Sequence, residues 1–266
     1  MNHKLYFLGS AGDIKSAGKN HSAGGLIVQT EGIQIHIDPG IGALNCSRRT
    51  KIDLRDTQVL ISTNNYLVSS NEVNAVASYM TLDGEDRHGV LIGSSSVING
   101  TENEPPVINE NTQKILERII TIRANDKVGI GNVDIHATKI NSKDSTSVGL
   151  IIESPVFKMG YFPHMRFSKT AAKMMDKVDI LVINIKYFDS ESKNDGLNLD
   201  EGIKIVNSSK PRLVIITGMG YKLNNEKYIK IIRKFQKETK IQTMVAEEGM
   251  ILNASSYKKA RQEKLL

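Results

Sequence analysis

The sequence predicts an α/β fold, and three observations carry that prediction. Val59 to Val76, VLISTNNYLVSSNEVNAV, passes from a short apolar run through a polar loop into apolar residues at helical spacing. Two later runs, Asp179 to Ile185 (DILVINI) and Arg212 to Ile216, are apolar almost throughout, as strands covered on both faces are. Hairpin signals recur. Glu31-Gly32 separates Gly24–Gln29 from Gln34–Asp38, and Ser154-Pro155 separates Val148–Glu153 from Val156–Gly160. At 266 residues the chain is read as a single domain over 1–252 and a polar basic tail over 253–266.

Composition narrows the function classes. No apolar run is long enough to span a membrane, and MNHKLYFLGS has no signal-peptide organisation. The single cysteine, Cys46, excludes an internal disulfide and fits a cytoplasmic location. The net charge is +6, and from Lys222 onward eleven Lys or Arg face five Glu, which equals the whole excess. Such a region could track phosphates, so nucleic acid is one expected partner; a solvated helix face is the plainer reading.

In order, Lys4–Leu8 is a strand followed by Gly9-Ser10-Ala11-Gly12-Asp13. That glycine-rich stretch is no phosphate cradle, since no Lys-Ser/Thr follows at the required spacing and no helical pattern opens after it. The hairpin over 24–38 ends in HIDPGIGAL, with His36 two residues before Asp38 and on the same face of a regular strand. Asp38 reads as a holder of the tight Pro-Gly loop. Val59–Ile61 is a strand, and a helix follows to Met80 with Ser69 or Ser70 as N-cap and Glu72 in its first turn. Val90–Gly93 is a strand, Ser94–Gly100 a turn-rich stretch, and Asn109–Arg118 a helix. Ile119–Ile122, Lys127–Ile130 and Val133–Thr138 form a meander. Beyond the second hairpin come a helix at Ala171–Asp176, the strand at 179–185 and a helix at Leu199–Val206. The strand at 212–216, a basic helix at Lys227–Gln236 and strands at Ile241–Ala246 and Gly249–Leu252 complete the chain.

The loop Ile37-Asp38-Pro39-Gly40, the strand-loop-helix after Val59, the frame Asp144-x-Thr146-x-x-Gly149 and the ending Ile216-Thr217-Gly218-Met219-Gly220 occur in that order. Together they resemble the metallo-β-lactamase superfamily, in particular its small archaeal-type hydrolase branch, over about Leu5 to Leu252. The resemblance implies an αββα sandwich, two central mixed β-sheets flanked by helices. It also implies a dinuclear metal site, and the ligand positions depart from the family throughout. Where the family reads Ser-His-x-His-x-Asp-His, this chain has Ser62, Thr63, Asn64, Asn65, Tyr66, Leu67 and Val68. Ser142 takes the place of a further histidine, Pro163 that of the metal-bridging aspartate, and Gly218 that of the last histidine. Gly196 falls where the family has the histidine of His-Leu-Ser. Leu, Val, Pro and Gly side chains cannot ligate, and Thr, Asn and Ser are poor donors to zinc.

The expectation is therefore a pseudoenzyme: a degenerate member without metal or other cofactor and without catalytic residues, acting by binding. The former cleft would present Asp38, Asn64, Asn65, Tyr66, Ser142, Asp144, His164 and Thr217 to a small polar or nucleotide-like ligand. The family's habit of pairing implies a homodimer, or a heterodimer with an active paralogue. Two alternatives stand beside this. One is a hydrolase, with a metal site rebuilt from His36, Asp38 and His164, or metal-free with Ser142 as nucleophile beside His164 or Asp144. The other is a nucleic-acid-associated scaffold using the basic helix up to Lys240, with Tyr228 and Phe235 as stacking groups. At their spacing Tyr228, Ile231, Ile232 and Phe235 read better as a buried face.

Overall fold

The computed structural model describes residues 3–19, 21–189, 196–224 and 228–258. The strands are β1 (Lys4–Gly9), β2 (Ala23–Thr30), β3 (Ile33–Ile37), β4 (Thr57–Ser62), β5 (Val90–Gly93), β6 (Arg118–Thr121) and β7 (Lys127–Ile130). They continue with β8 (Val133–Lys139), β9 (Val148–Glu153), β10 (Lys158–Phe162), β11 (Ile180–Asn184), β12 (Leu213–Thr217), β13 (Gln242–Val245) and β14 (Ile251–Asn253). They form two seven-stranded mixed sheets, ordered β14-β1-β2-β3-β4-β5-β6 and β13-β12-β11-β10-β9-β8-β7. The helices are α1 (Ile14–Ala17), α2 (Ala43–Thr50), α3 (Leu67–Ser70), α4 (Val73–Thr81), α5 (Ser95–Asn99), α6 (Glu110–Ile115), α7 (Lys169–Met174), α8 (Leu199–Ser209), α9 (Tyr221–Asn224) and α10 (Tyr228–Thr239).

Side-chain alternation along the strands builds the layers. In β1, Leu5 and Phe7 point between the sheets, whereas Tyr6 and Leu8 point outward. In β11 and β12, Ile180, Val182, Leu213 and Ile215 enter the same central core, and Leu181, Ile183, Val214 and Ile216 face the other way. Helices supply the outer layers: Val73, Val76, Ala77 and Met80 of α4 on the first sheet, and Ala171, Ile203, Ile231 and Phe235 of α7, α8 and α10 on the second. Strands of this kind must be apolar on both sides, which is why their sequences do not alternate. This is the αββα arrangement, and in α10 the aromatic and aliphatic residues form the packed face.

The β2–β3 hairpin turns as its sequence dictates, with Glu31 and Gly32 both at positive φ (52° and 77°). Elsewhere the local reading needs correction. Ile119–Ile122 does not join a meander: β6 pairs parallel with β5 in the first sheet, whereas β7 starts the second. Pairing partners so distant leave no local signal. A short helix, α1, does follow the glycine-rich stretch, capped by Asp13, whose carboxylate accepts from Ser16 N at 2.7 Å. Ser94–Gly100 holds the short helix α5. Neither Ser69 nor Ser70 caps α4; both lie in α3, and Glu72 stands at the cap position. The Glu72 carboxylate instead accepts from Gly42 N (2.6 Å) and Leu44 N (3.0 Å), closing the start of α2. The folded unit also runs past residue 252: Ala254 is fully buried, and its N–H donates to His3 O at 2.8 Å. The rest of the basic tail, from 259, and the start of the basic helix at Lys227 lie outside the described residues. No helix among the described residues is long and apolar enough to cross a membrane.

Candidate functional site

Open α/β sheets place chemistry where their parallel strands end, and both sheets do so at one edge here. Asp38 follows β3, Thr63 to Tyr66 follow β4, and Ser96 stands in α5 just beyond β5. From the second sheet come Pro163 and His164 after β10, Asn184 at the end of β11, and Thr217 and Gly218 at the end of β12.

Asp38 lies at the centre of the first of two internal networks. Its Oδ1 accepts from Thr63 N (2.7 Å) and its Oδ2 from Thr63 Oγ1 (2.7 Å) and Tyr161 OH (2.8 Å). The carboxylate therefore holds the loop after β4, not the Pro39-Gly40 turn. Burial lifts its pKa to about 6, a rise that the three hydrogen bonds only partly offset. Burial also raises the Tyr161 hydroxyl well above its ordinary value, with the Asp38 charge as the next cause. Tyr161→Phe removes a buried donor from a carboxylate. A loss of about 1–3 kcal/mol in urea unfolding is expected, and an unchanged midpoint would show that the bond is idle.

The second network surrounds Asp144. Its Oδ2 accepts from Ser96 Oγ (2.6 Å) and Asn65 N (3.2 Å), and its Oδ1 from Thr146 N (2.9 Å) and Oγ1 (2.8 Å). Tyr66 OH accepts from Asp144 N (3.0 Å) and lies 2.7 Å from Ser142 Oγ. Ser142 Oγ also donates to the backbone oxygen of His164 (3.2 Å), not to its ring; the ring Nε2 pairs with Gly12 O at 2.7 Å. The nucleophile–base pairing of Ser142 with His164 or Asp144 is thus not formed.

The structure gathers the expected cleft residues and divides them. Asp38, Asn64, His164 and Thr217 line an inner cavity of about 40 Å³ together with Pro163, Asn184 and Gly218. That volume holds about one or two waters, not a substrate. Tyr66 and His164 face an outer cleft of about 240 Å³, with ring centroids 6.1 Å apart. Asn65 and Asp144 line a neighbouring depression, where Asn65 Nδ2 donates to Glu104 Oε2 at 2.7 Å.

His36 does not join them. It pairs across the sheet with Ile27 and Leu60, both of the outer core, while Ile35 and Ile37 face the central core. Its Nε2 meets Gly24 O at 2.8 Å, and burial lowers its pKa to about 4, so the ring is neutral. Asp38 faces the other way because the chain turns left-handed there, at φ 52°. A site built from His36, Asp38 and His164 is therefore not assembled.

A dinuclear metal centre does not fit these residues. Thr63 Oγ1 is bound to Asp38, Leu67 is 61% exposed and apolar, and Val68 and Pro163 offer no donor. At Gly218 a β-carbon would lie 1.7 Å from Asn184 Oδ1, so Asn184 fills the space that a side chain at 218 would need. Gly196 is likewise closed off, its β-carbon position lying 2.8 Å from Lys186 Cβ. Among the described residues no three His, Cys, Asp or Glu side chains come together as an ion would require. Asn184, Tyr161 and Ser96 escape sequence reasoning; the one available signal is Asn184, a lone polar residue closing an apolar strand.

No family model matches the chain. The uncharacterized protein MJ1374 of Methanocaldococcus jannaschii is 25% identical over 228 residues, covering 85% of this chain and 86% of that one. Among solved structures, the metallo-β-lactamase fold protein YhfI from Bacillus subtilis superposes with a TM-score of 0.80 at 11% identity, covering 95% of this chain and 99% of YhfI. Zn(2+)-bound PqqB from Methylobacterium extorquens gives 0.72 at 12% identity, with 94% and 99% coverage. Human tRNase Z, short form, gives 0.69 at 10% identity, with 94% and 99% coverage. The chain has the metallo-β-lactamase fold.

Proposed function

We propose that this chain is a non-catalytic version of its fold, a domain that binds and does not cleave. The observation that supports this is the filling of the old centre by the protein's own groups. Asn184 occupies the space at Gly218, both oxygens of Asp38 are taken by Thr63 and Tyr161, and those of Asp144 by Thr146 in its own loop and by Ser96 and Asn65. A hydrolytic centre of this fold needs converging imidazoles and carboxylates to lower the pKa of a bridging water. Here the carboxylates that remain are saturated and one histidine, His36, faces another layer. What is left open is the outer cleft around Tyr66, next to the site and lined by groups that can bind.

Metal content tests the reading. Protein purified without chelator or nickel resin is expected to carry less than about a tenth of an equivalent of zinc, manganese or iron by elemental mass spectrometry. About one or two equivalents, lost in Asp38→Ala or His164→Ala, would overturn it.

A further inference from the structure

We propose that the helical layer over the second sheet binds double-stranded DNA through its phosphates, without reading sequence, at a surface separate from the old centre. Charge is divided between the two outer layers. The 75 residues 43–117, which carry α2 to α6, hold six Lys or Arg against ten Asp or Glu; the 75 residues 166–240, which carry α7 to α10, hold sixteen against nine. An anionic partner is therefore drawn to one side of the molecule and repelled from the other.

The helices turn that charge outward. α8 packs against both α7 and α10, while α7 touches β8 and α10 touches β13, so the three lie side by side across the sheet. Packed neighbours lie about 8–10 Å apart, which makes the layer on the order of 20 Å wide. Ala171 and Ala172 of α7 and Ile231 and Phe235 of α10 are buried against the sheet. The exposed pairs Lys169 and Lys173, and Arg233 and Lys237, each one turn apart, stand on other faces of those helices. With the exposed Lys210 and Lys240, which follow the last turns of α8 and α10, these six form no ion pair and no side-chain hydrogen bond among the described residues. Lys204 and Lys234 are already engaged, the first over the Phe167 ring at 5.8 Å and the second with Asp200 at 2.6 Å.

The acids of the layer leave most of this charge uncompensated. Asp200 is taken by Lys234, and the Glu201 carboxylate accepts from Asn198 N at 3.0 Å in the capping box of α8. Asp179 is buried before β11 and accepts from Lys158 N at 2.9 Å, and Asp189 is engaged within the protein. Among the described residues the exposed acids that remain are Asp176 and Glu238, two against six.

What the surface lacks fixes the partner. Unpaired bases stack on open rings, but Phe167 and Phe188 lie under Lys204 and Lys234 at 5.8 and 5.9 Å, and Phe235 is buried. A lipid surface takes an apolar face, and of the six large apolar side chains that are well exposed only Ile229 belongs to these three helices. A broad array of cations without a stacking ring suits a duplex, whose phosphates lie outside at one charge per about 1.7 Å of axis. The grooves of B-DNA are about 6 and 12 Å wide, so a layer of this width meets more than one backbone.

Fluorescence anisotropy of the full chain with a short labelled DNA duplex of mixed sequence tests this. Affinity is expected to fall with salt at a log–log slope of about −3 to −5, as contacts from this many cations require. Lys169→Glu with Lys173→Glu, and Arg233→Glu with Lys237→Glu, should each weaken binding at least about tenfold. Lys51→Glu with Lys114→Glu makes the same change of charge on the opposite layer and should leave affinity within about twofold. No binding at low salt, an equal loss from the opposite-layer pair, or tighter binding to single-stranded DNA, duplex RNA or phosphatidylserine vesicles would each overturn the assignment. So would salt-sensitive self-association of the chain, which would give this face to the acidic layer of a second copy.

Discussion

Gly218→His is expected to destabilise the protein by about 3–5 kcal/mol and to recruit no zinc, although it restores the residue type that the resemblance implies. Two terms add. Gly218 sits at φ 61°, where a side chain is strained, and its β-carbon would meet Asn184 Oδ1 at 1.7 Å. The backbone cannot move aside. A β-carbon on Gly12 would lie 1.8 Å from Gly218 O, and the segment is bonded through Gly12 N to Met219 O (2.7 Å) and Met219 N to Ser10 O (2.8 Å). Adding Asn184→Ala should recover part of the loss while leaving the backbone term. The measurement is urea unfolding with zinc uptake on the same samples. A Gly218→His protein as stable as wild type that loads zinc would show that the site is open after all.

The second large effect is a pair of opposite pH dependences that conceal each other. Asp38 has a folded pKa of about 6 against an ordinary 3.8, so its stabilising contribution is complete below pH 3.8 and is lost as pH rises through about 6. His36 has a folded pKa of about 4 against 6.5; its contribution is complete above pH 6.5 and is lost as pH falls through about 4. Each is worth about 3 kcal/mol across its window. Between about pH 6.5 and 4 the two nearly cancel in the wild type. His36→Gln should unmask a gain in stability on acidification, and Asp38→Asn a loss, each relative to wild type across the same range. Urea midpoints at about pH 7, 5.5 and 4.5 read this directly, since other groups contribute alike in all three proteins. Parallel pH profiles for the three would refute it.

These results show where the sequence was legible. DILVINI and the strand at 212–216 announce burial on both faces, and Glu31-Gly32 can hardly be anything but a tight turn, because those signals are local. The absent metal ligands were equally plain, since a leucine, a valine or a proline cannot ligate wherever it is placed. What replaced them was not legible. Tyr161 reaches Asp38 across 123 positions and Ser96 reaches Asp144 across 48, and no spacing rule links such partners. His36 and Asp38 illustrate the same limit: alternation puts them on one face, and a single left-handed residue separates them. The strand at 119–122 looked like the start of a meander because its polar turn is shared by a hairpin and by a crossing between sheets.

The pairing of β14 with β1 has a consequence for how the chain is made. Among the described residues the outer edge of β1 is covered by β14 and by the backbone of Gly249 and Met250 just before it, so about 240 residues must be added after β1 before its partner exists. At roughly 5–20 residues per second, that edge stays open on the ribosome for on the order of 10–50 s. An unpaired edge is a template for foreign strands, so the nascent chain is most exposed to misassembly, and most in need of a chaperone, until β14 has left the ribosome.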